Sequence, residues 1–352
     1  MDCCNLHNSH RKVDVFKTGS IGPMEKSFCQ NDLKVNAPHV IPIFFAAGTT
    51  YYQHLCVTIV SILENNRHLS FVFHILTDKI DQTAIDKIAT LKNKYKNFEI
   101  RVTKMEDTLF DRFVLSNNHI SRQTYYRYMI PVLFPEYEKV LYLDCDLVVK
   151  GNLKELWDID ISDSYAAGAR DTCIDPSDHK TWLGLAKNET YINAGVLLLN
   201  TKKMREDGMV EKLFENTKIH VRVIRHQDQD VINLTLKKKV KVIDQKFNFL
   251  SIQKRKKLDD PSILDRSIIV HYVGERKPWN YVQGCNLYLK RLYFKYLELT
   301  PYHDYRQVHQ YRRCFYALRN LFFRVDRSEK SIKVYVLGLR FSKRKIPNSF
   351  RN

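Results

Sequence analysis

The sequence has little that would staple it or anchor it. Its eight cysteines, Cys3, Cys4, Cys29, Cys56, Cys145, Cys173, Cys285 and Cys314, form no CxxC pair and follow no regular spacing. That excludes a disulfide framework or a thiolate zinc site as the organising device, and the thiols read as the reduced cysteines of a cytosolic protein. No run of 18 or more apolar residues occurs, so no transmembrane helix is expected. Residues 1–30 mix charged and polar positions without an apolar h-region, which speaks against a secretory signal. The sequons Asn188-Glu189-Thr190 and Asn233-Leu234-Thr235 are then chance matches. Gly and Pro are sparse, 11 and 10 in 352 residues, and with 44% apolar and 12% aromatic content they exclude a fibrous or disordered chain.

What the sequence does have is positive charge. Lys and Arg number 57 against 39 Asp and Glu, a net of +18, so an anionic partner is expected: nucleic acid, a membrane surface or a phosphorylated ligand. Distribution narrows the choice. Residues 301–352 hold thirteen Lys and Arg against three acids, a net of +10, which leaves the rest of the chain only mildly basic.

In chain order, residues 1–38 read as a polar, weakly ordered leader. Val40 to Ala47 reads as a strand ending in Gly48-Thr49-Thr50, followed by an apolar-periodic helix from Tyr52 to Glu64. A strand Phe71 to Leu76, a helix Asp81 to Tyr95 with Asp81 as N-cap, and a strand Phe98 to Val102 complete a β-α-β-α-β run. This alternation implies an α/β fold, a mostly parallel sheet flanked by helices that binds ligands at its carboxyl edge. A helix beginning near Ser121 carries Arg127. Asn152 to Ile159 reads as a short helix, Ala166 to Ala169 as a strand delivering Asp171, and Lys202 to Glu215 as a helix.

Four stretches carry chemistry. Val140-Leu141-Tyr142-Leu143 is a buried strand that runs into Asp144-Cys145-Asp146. Two carboxylates so close beside an apolar strand suit a hard cation such as Mn²⁺ or Mg²⁺; alternatively one caps a turn and the other is solvated. Asn193 and Gly195 interrupt a second buried strand, and a glycine there marks a bulge or close approach to the backbone. Gln227-Asp228-Gln229-Asp230 opens a helix, where acidic residues serve either a site or the helix dipole. His271 ends a strand before Val273-Gly274-Glu275-Arg276-Lys277-Pro278-Trp279, and is either a nitrogen ligand beside a phosphate-binding turn or a satisfied core histidine. Arg127 either pairs with a carboxylate or phosphate or is an exposed helix arginine.

Together, Leu-Tyr-Leu-Asp144-Cys-Asp146, Asn193-Ala-Gly-Val-Leu, Gln227-Asp228-Gln229-Asp230 and His271-Tyr-Val-Gly274-Glu-Arg-Lys277-Pro-Trp279, in this order, resemble glycosyltransferase family 8. The resemblance is especially to the bacterial lipopolysaccharide and lipooligosaccharide galactosyl- and glucosyltransferases. The likeness runs from about Pro42 to Trp279. It implies a GT-A fold, Rossmann-like, and a retaining, metal-dependent hexosyltransferase that uses a UDP-sugar donor. By position it implies Asp144, Asp146 and His271 as ligands of Mn²⁺ (Mg²⁺ as the substitute), Gly274 and Lys277 as diphosphate contacts, and Cys145 between the carboxylates in the donor site. It also implies Arg127, Asp171, Asn193, Asp228 and Gln229 around the donor sugar, with Gln229 or Asp228 stabilising or attacking the sugar's far face; an amide is a poor nucleophile, which favours stabilisation for Gln229. One position departs: where the family usually has an Asp that reads uracil, this chain has Gly48, leaving Thr50 for the ribose and Tyr51 to stack on the base.

The expected organisation is a leader over 1–38, a GT-A catalytic domain over 39–285 and a basic amphipathic region over 286–352. In that region Val308, Tyr311, Phe315, Leu318, Phe322 and Val325 recur at spacings of 3 and 4 with arginines on other faces, the pattern of a helix that lies on an anionic membrane or packs its stripe on the catalytic domain. The resulting expectation is a cytoplasmic enzyme, peripheral on the inner membrane, that glycosylates a glycolipid or oligosaccharide acceptor and binds no nucleic acid. Its rivals are a protein of the same fold that binds a sugar nucleotide with little turnover, and a basic nucleic-acid-binding protein, which would lack any recognised signature.

Overall fold

The computed structural model describes residues 26–29, 40–111, 113, 122–176, 178–252, 261–275, 277–280, 286–305, 323–327, 331–336 and 339–344. Its centre is an eight-stranded sheet of β1 (Lys26–Cys29), β2 (Val40–Ala46), β3 (Ser70–Thr77), β4 (Phe98–Lys104), β5 (Val140–Leu143), β7 (Ala166–Arg170), β8 (Ile192–Leu199) and β9 (Val240–Ile243), in the order β1-β4-β3-β2-β5-β8-β7-β9. The β4-β3-β2-β5 block is parallel, as is β7-β9, while β8 runs antiparallel to both β5 and β7. The expected α/β layering is therefore present.

Side chains alternate across this sheet as the strand period requires. On β2, Ile41, Ile43 and Phe45 enter one core with the helices Tyr52–Asn65 and Gln82–Ala89, while Phe44 enters a second core with Arg122–Met129, Met209–Ile219 and Gln227–Leu236. β8 is buried along its whole length, as a strand covered on both faces must be. Asp81 caps the helix Gln82–Ala89 as expected, its carboxylate accepting from the Ala84 N–H at 3.0 Å.

Several boundaries differ for local reasons. The expected helix leading to the dicarboxylate strand is a tighter 3-10 segment, Arg122–Met129, then a short α-helix Ile130–Leu133; Pro131 lacks the N–H that a continuous α-helix needs there. The helix expected over 202–215 is two helices, Thr201–Glu206 and Met209–Ile219, divided at Gly208, whose φ of +61° is left-handed. Inside the leader, β1 pairs antiparallel with β4.

A second sheet positions the site. β10 (Phe249–Leu250), β11 (Ile269–His271) and β6 (Leu147–Val149) pair in the order β10-β11-β6, with His271 opposite Leu147. Because β2 and β5 are parallel, both deliver their following residues to one edge of the main sheet. β8, antiparallel to β5, begins at that edge, and the Asp144 N–H donates to the Gly195 carbonyl at 2.8 Å.

The C-terminal expectation needs correction. The helix Leu287–Leu297 packs Leu289, Tyr293, Tyr296 and Leu297 into the same core as Tyr52–Asn65, so the body of the protein continues past residue 285. Of the basic stripe, positions 308–322 lie outside the described residues. Val325 is on a strand: β12 (Phe323–Arg327), β13 (Ser331–Val336) and β14 (Leu339–Arg344) form an antiparallel sheet where a basic helical extension was expected. Among the described residues, no helix is long and apolar enough to cross a membrane.

Candidate active site

Two of the four stretches meet at one point. A donor atom each from Asp144, Asp146 and His271 lie within 4.8 Å of one another. His271 Nε2 is 3.1 Å from Asp146 Oδ1 and 3.6 Å from Asp144 Oδ2. Lys277 Nζ donates to Asp146 Oδ2 and to the Tyr272 carbonyl. Burial opposes ionisation of Asp146, but Lys277 and His271 outweigh it and hold the carboxyl well below the usual range. Two carboxylates and one imidazole converging on a small volume, one carboxylate already held ionised by an ammonium, suit a hard divalent cation.

Elements on both sides hold the dicarboxylate turn. Thr58 Oγ1, from the helix Tyr52–Asn65, lies 3.0 and 2.7 Å from the carbonyls of Cys145 and Leu147. The Cys145 thiol is buried and faces the Ala46 carbonyl of β2 at 3.2 Å, so its side chain ties strand to turn. Gly274, at φ +72°, adopts a left-handed turn between His271 and Lys277 that a side chain would strain. Gly195 has a different reason to be glycine: a Cβ there would sit 2.1 Å from His271 Cε1 and 2.7 Å from Asp144 Oδ2. The close approach expected at this residue is made by the side chains of His271 and Asp144.

Arg127 is 5% exposed, which excludes the solvated alternative. Its Nη2 is 3.1 Å from Asp144 Oδ1, and its Nε lies 3.0 Å from Asp228 Oδ2 while the N–H points at the Thr124 carbonyl, 2.9 Å away. It thus joins Asp144 to Asp228, the candidate carboxylate on the helix Gln227–Leu236. Asp228 Oδ1 accepts from the Thr124 hydroxyl. Burial pushes the Asp228 carboxyl from an ordinary 3.8 up to about 6, against the pull of Arg127. Protonation therefore favours the folded state: this contribution is full below about pH 4 and is lost as pH rises through about 6. Thermal unfolding of wild type and Asp228→Asn should show the variant gaining relative to wild type between pH 4 and pH 7; a pH-independent difference would contradict this.

Asp171 and Asn193, both buried, and the half-buried Gln229 form one wall. Asp171 Oδ2 accepts from Asn193 Nδ2 at 3.0 Å and Gln229 Nε2 at 3.2 Å, and its Oδ1 accepts from the N–H groups of Cys173 and Ile174. Gln229 Oε1 accepts from the Ala194 N–H at 3.0 Å, so the amide is fixed at both ends. The acidic residues of this helix part ways: Asp230 Oδ2 accepts from the N–H groups of Arg225 and His226 just ahead of the helix, while Asp228 faces Thr124 and Arg127. Gln227, just before them, has φ +45°, backbone strain of the kind that concentrates at functional sites.

Thr50 is exposed and Tyr51 half-buried on the turn after β2. Burial raises the Tyr51 phenol, and Asp146, Cys145 and Asp144 add to the shift. A Cβ at Gly48 would meet only the Gln123 side chain, at 3.5 Å or more, and φ is an ordinary −77°. A side chain can therefore start from this position without strain. Gly48→Asp should tighten UDP binding about tenfold, as one charge-assisted hydrogen bond to the base would; calorimetry showing no gain would count against a base site at this turn.

Sequence reasoning missed Asn248, Thr124 and Tyr191, which hold the named residues in place. Asn248 Oδ1 faces His271 Nδ1 at 3.1 Å, and the Tyr191 hydroxyl touches both Gln229 and Asp230. Asn248 had polarity within the apolar run Phe247-Asn248-Phe249-Leu250 as its signal; Thr124 and Tyr191 had none.

A mixed, largely parallel sheet with a dicarboxylate and a histidine at its carboxyl edge defines the GT-A class of sugar-nucleotide transferases. Residues 42–283 match the model of glycosyl transferase family 8, and the chain belongs to that family. It is 34% identical over 244 residues to a protein of Haemophilus influenzae, covering 68% of this chain and 72% of that one. It is 27% identical over 282 residues to the lipopolysaccharide 1,2-glucosyltransferase of Escherichia coli K12, covering 77% and 81%. Among solved structures it resembles the galactosyltransferase LgtC in complex with donor and acceptor sugar analogs, with a TM-score of 0.66, 29% identity, and coverage of 74% of this chain and 96% of that one.

Proposed function

We propose that this glycosyltransferase moves a hexose, galactose or glucose, from a UDP-sugar to a lipooligosaccharide or lipopolysaccharide core sugar, with retention at the anomeric carbon. The observation that carries this reading is the convergence of Asp144, Asp146 and His271 beside Lys277, with the Asp171, Asn193 and Gln229 wall nearby. Asp144, Asp146 and His271 would hold a divalent cation, Mn²⁺ or Mg²⁺, which supplies charge neutralisation for a diphosphate leaving group.

The chain's own residues do the rest. Lys277 contributes a second positive charge to the diphosphate, and the left-handed Gly274 turn shapes the backbone around it. Thr50 and Tyr51 flank the nucleoside. Asp171, Asn193 and Gln229 orient the sugar, and Gln229, held by Ala194 and Asp171, acts as a fixed dipole near the anomeric carbon. As the bond from C1 to the diphosphate oxygen breaks, UDP departs; the acceptor hydroxyl bonds to C1 on the same face and gives its proton to the departing diphosphate. Arg127 keeps Asp144 and Asp228 in fixed relation through this change.

The acceptor class is supported by the lipopolysaccharide glucosyltransferase among its relatives. The basic C-terminal residues support a place on the cytoplasmic face of an anionic membrane. Incubation with a panel of nucleotide sugars and a core oligosaccharide should release UDP from UDP-galactose or UDP-glucose, with an α-configured product by NMR. No turnover with any UDP-sugar, or an inverted product, would overturn the reading.

A further inference from the structure

Two groups at the site have hydrogen-bonding roles that chemistry leaves no freedom to reverse. The Gly195 backbone N–H is a donor, and the Asp171 carboxylate accepts two amide N–H groups. Asn193 sits between them, its Oδ1 3.0 Å from the Gly195 N–H and its Nδ2 3.0 Å from Asp171 Oδ2, so its amide has only one orientation.

That orientation propagates. Asn193 Oδ1 also faces Asn248 at 2.9 Å, and only the NH₂ end of Asn248 is able to approach an oxygen. The oxygen of Asn248 is thereby turned to His271 Nδ1, 3.1 Å away. An amide oxygen is an acceptor only, so the His271 ring carries a proton on Nδ1; Nε2, 3.1 Å from Asp146 Oδ1 and 3.6 Å from Asp144 Oδ2, is then the nitrogen whose proton a cation shared with Asp144 and Asp146 would replace. Asn248, Asn193, Asp171 and His271 are all buried, so water offers no alternative partner.

We infer that Asn248 is the positioning residue that selects the ligating tautomer of His271, and that it links the metal ligand to the Asp171 and Gln229 wall. This rests on the reading that Asp144, Asp146 and His271 hold a divalent cation. Outer partners that orient a ligating histidine change metal affinity by about 10- to 100-fold when removed.

The test uses the full chain and Mn²⁺ alone, with affinity read from the electron paramagnetic resonance of free Mn²⁺. Asn248→Leu keeps the volume but removes the acceptor, and should weaken Mn²⁺ binding about 10- to 100-fold. Asn248→Asp keeps an acceptor for Nδ1–H but sets it against Asn193 Oδ1; it should lose thermal stability and retain Mn²⁺ affinity within a few fold of wild type. A merely structural role would make affinity follow stability in both variants. Wild-type binding that is lost in His271→Asn but unchanged in Asn248→Leu overturns the proposal alone, as does an equal loss in Asn248→Asp and Asn248→Leu. Wild-type protein that binds no Mn²⁺, or binds it equally well after His271→Asn, overturns the cation reading and the proposal with it.

Discussion

Gly195→Ala is expected to cripple the enzyme although it adds a single methyl group. The new Cβ would fall 2.1 Å from His271 Cε1 and 2.7 Å from Asp144 Oδ2, well inside contact distance. Neither neighbour is free to yield. His271 is held at Nδ1 by Asn248, and Asp144 is held by Arg127 and by the Tyr142 hydroxyl at 3.1 Å. Overpacking of this kind costs about 1 to 3 kcal/mol. Displacing the ligands by about 1 Å should lower transfer about 100-fold. Thermal unfolding and transfer rates on the purified variant check both; a fully active variant would mean that β8 moves more freely than its burial allows.

Asp146→Asn separates charge from shape. The amide fills the same space, but Lys277 loses its anionic partner and the cluster loses one ionised oxygen. Lys277 and His271 outweigh burial and favour the charge in the folded state, so its removal should also lower thermal stability. Transfer should fall about 10³-fold or more, equivalent to about 4 kcal/mol of lost transition-state stabilisation. Circular dichroism and UDP release on the same preparation separate the two effects. Retained activity would remove Asp146 from the cation site.

The parallel block was legible because β2, β3 and β4 alternate with apolar-periodic helices, and the site stretches were legible because polar residues sit where packing alone would place none. What the sequence hid was convergence. Asn248 lies 23 residues from His271 and 55 from Asn193, and nothing local marks it as their link. Gly195 announced a close approach without saying that His271 would make it. At the C-terminus a spacing of 3 and 4 competed with a period of two in Phe323, Val325, Ile332, Val334, Val336, Leu339 and Phe341, and over 323–344 the shorter period prevailed as β12, β13 and β14. Short apolar-basic alternation is ambiguous between the two until strand pairing is known.

The most direct test of the cation reading is the rate of UDP release by chelator-treated wild-type protein as free Mn²⁺ is raised. The account predicts no release in chelator, saturable recovery with Mn²⁺, and a midpoint moved to higher Mn²⁺ in His271→Asn. A full rate in chelator, or a midpoint unchanged in His271→Asn, would contradict it.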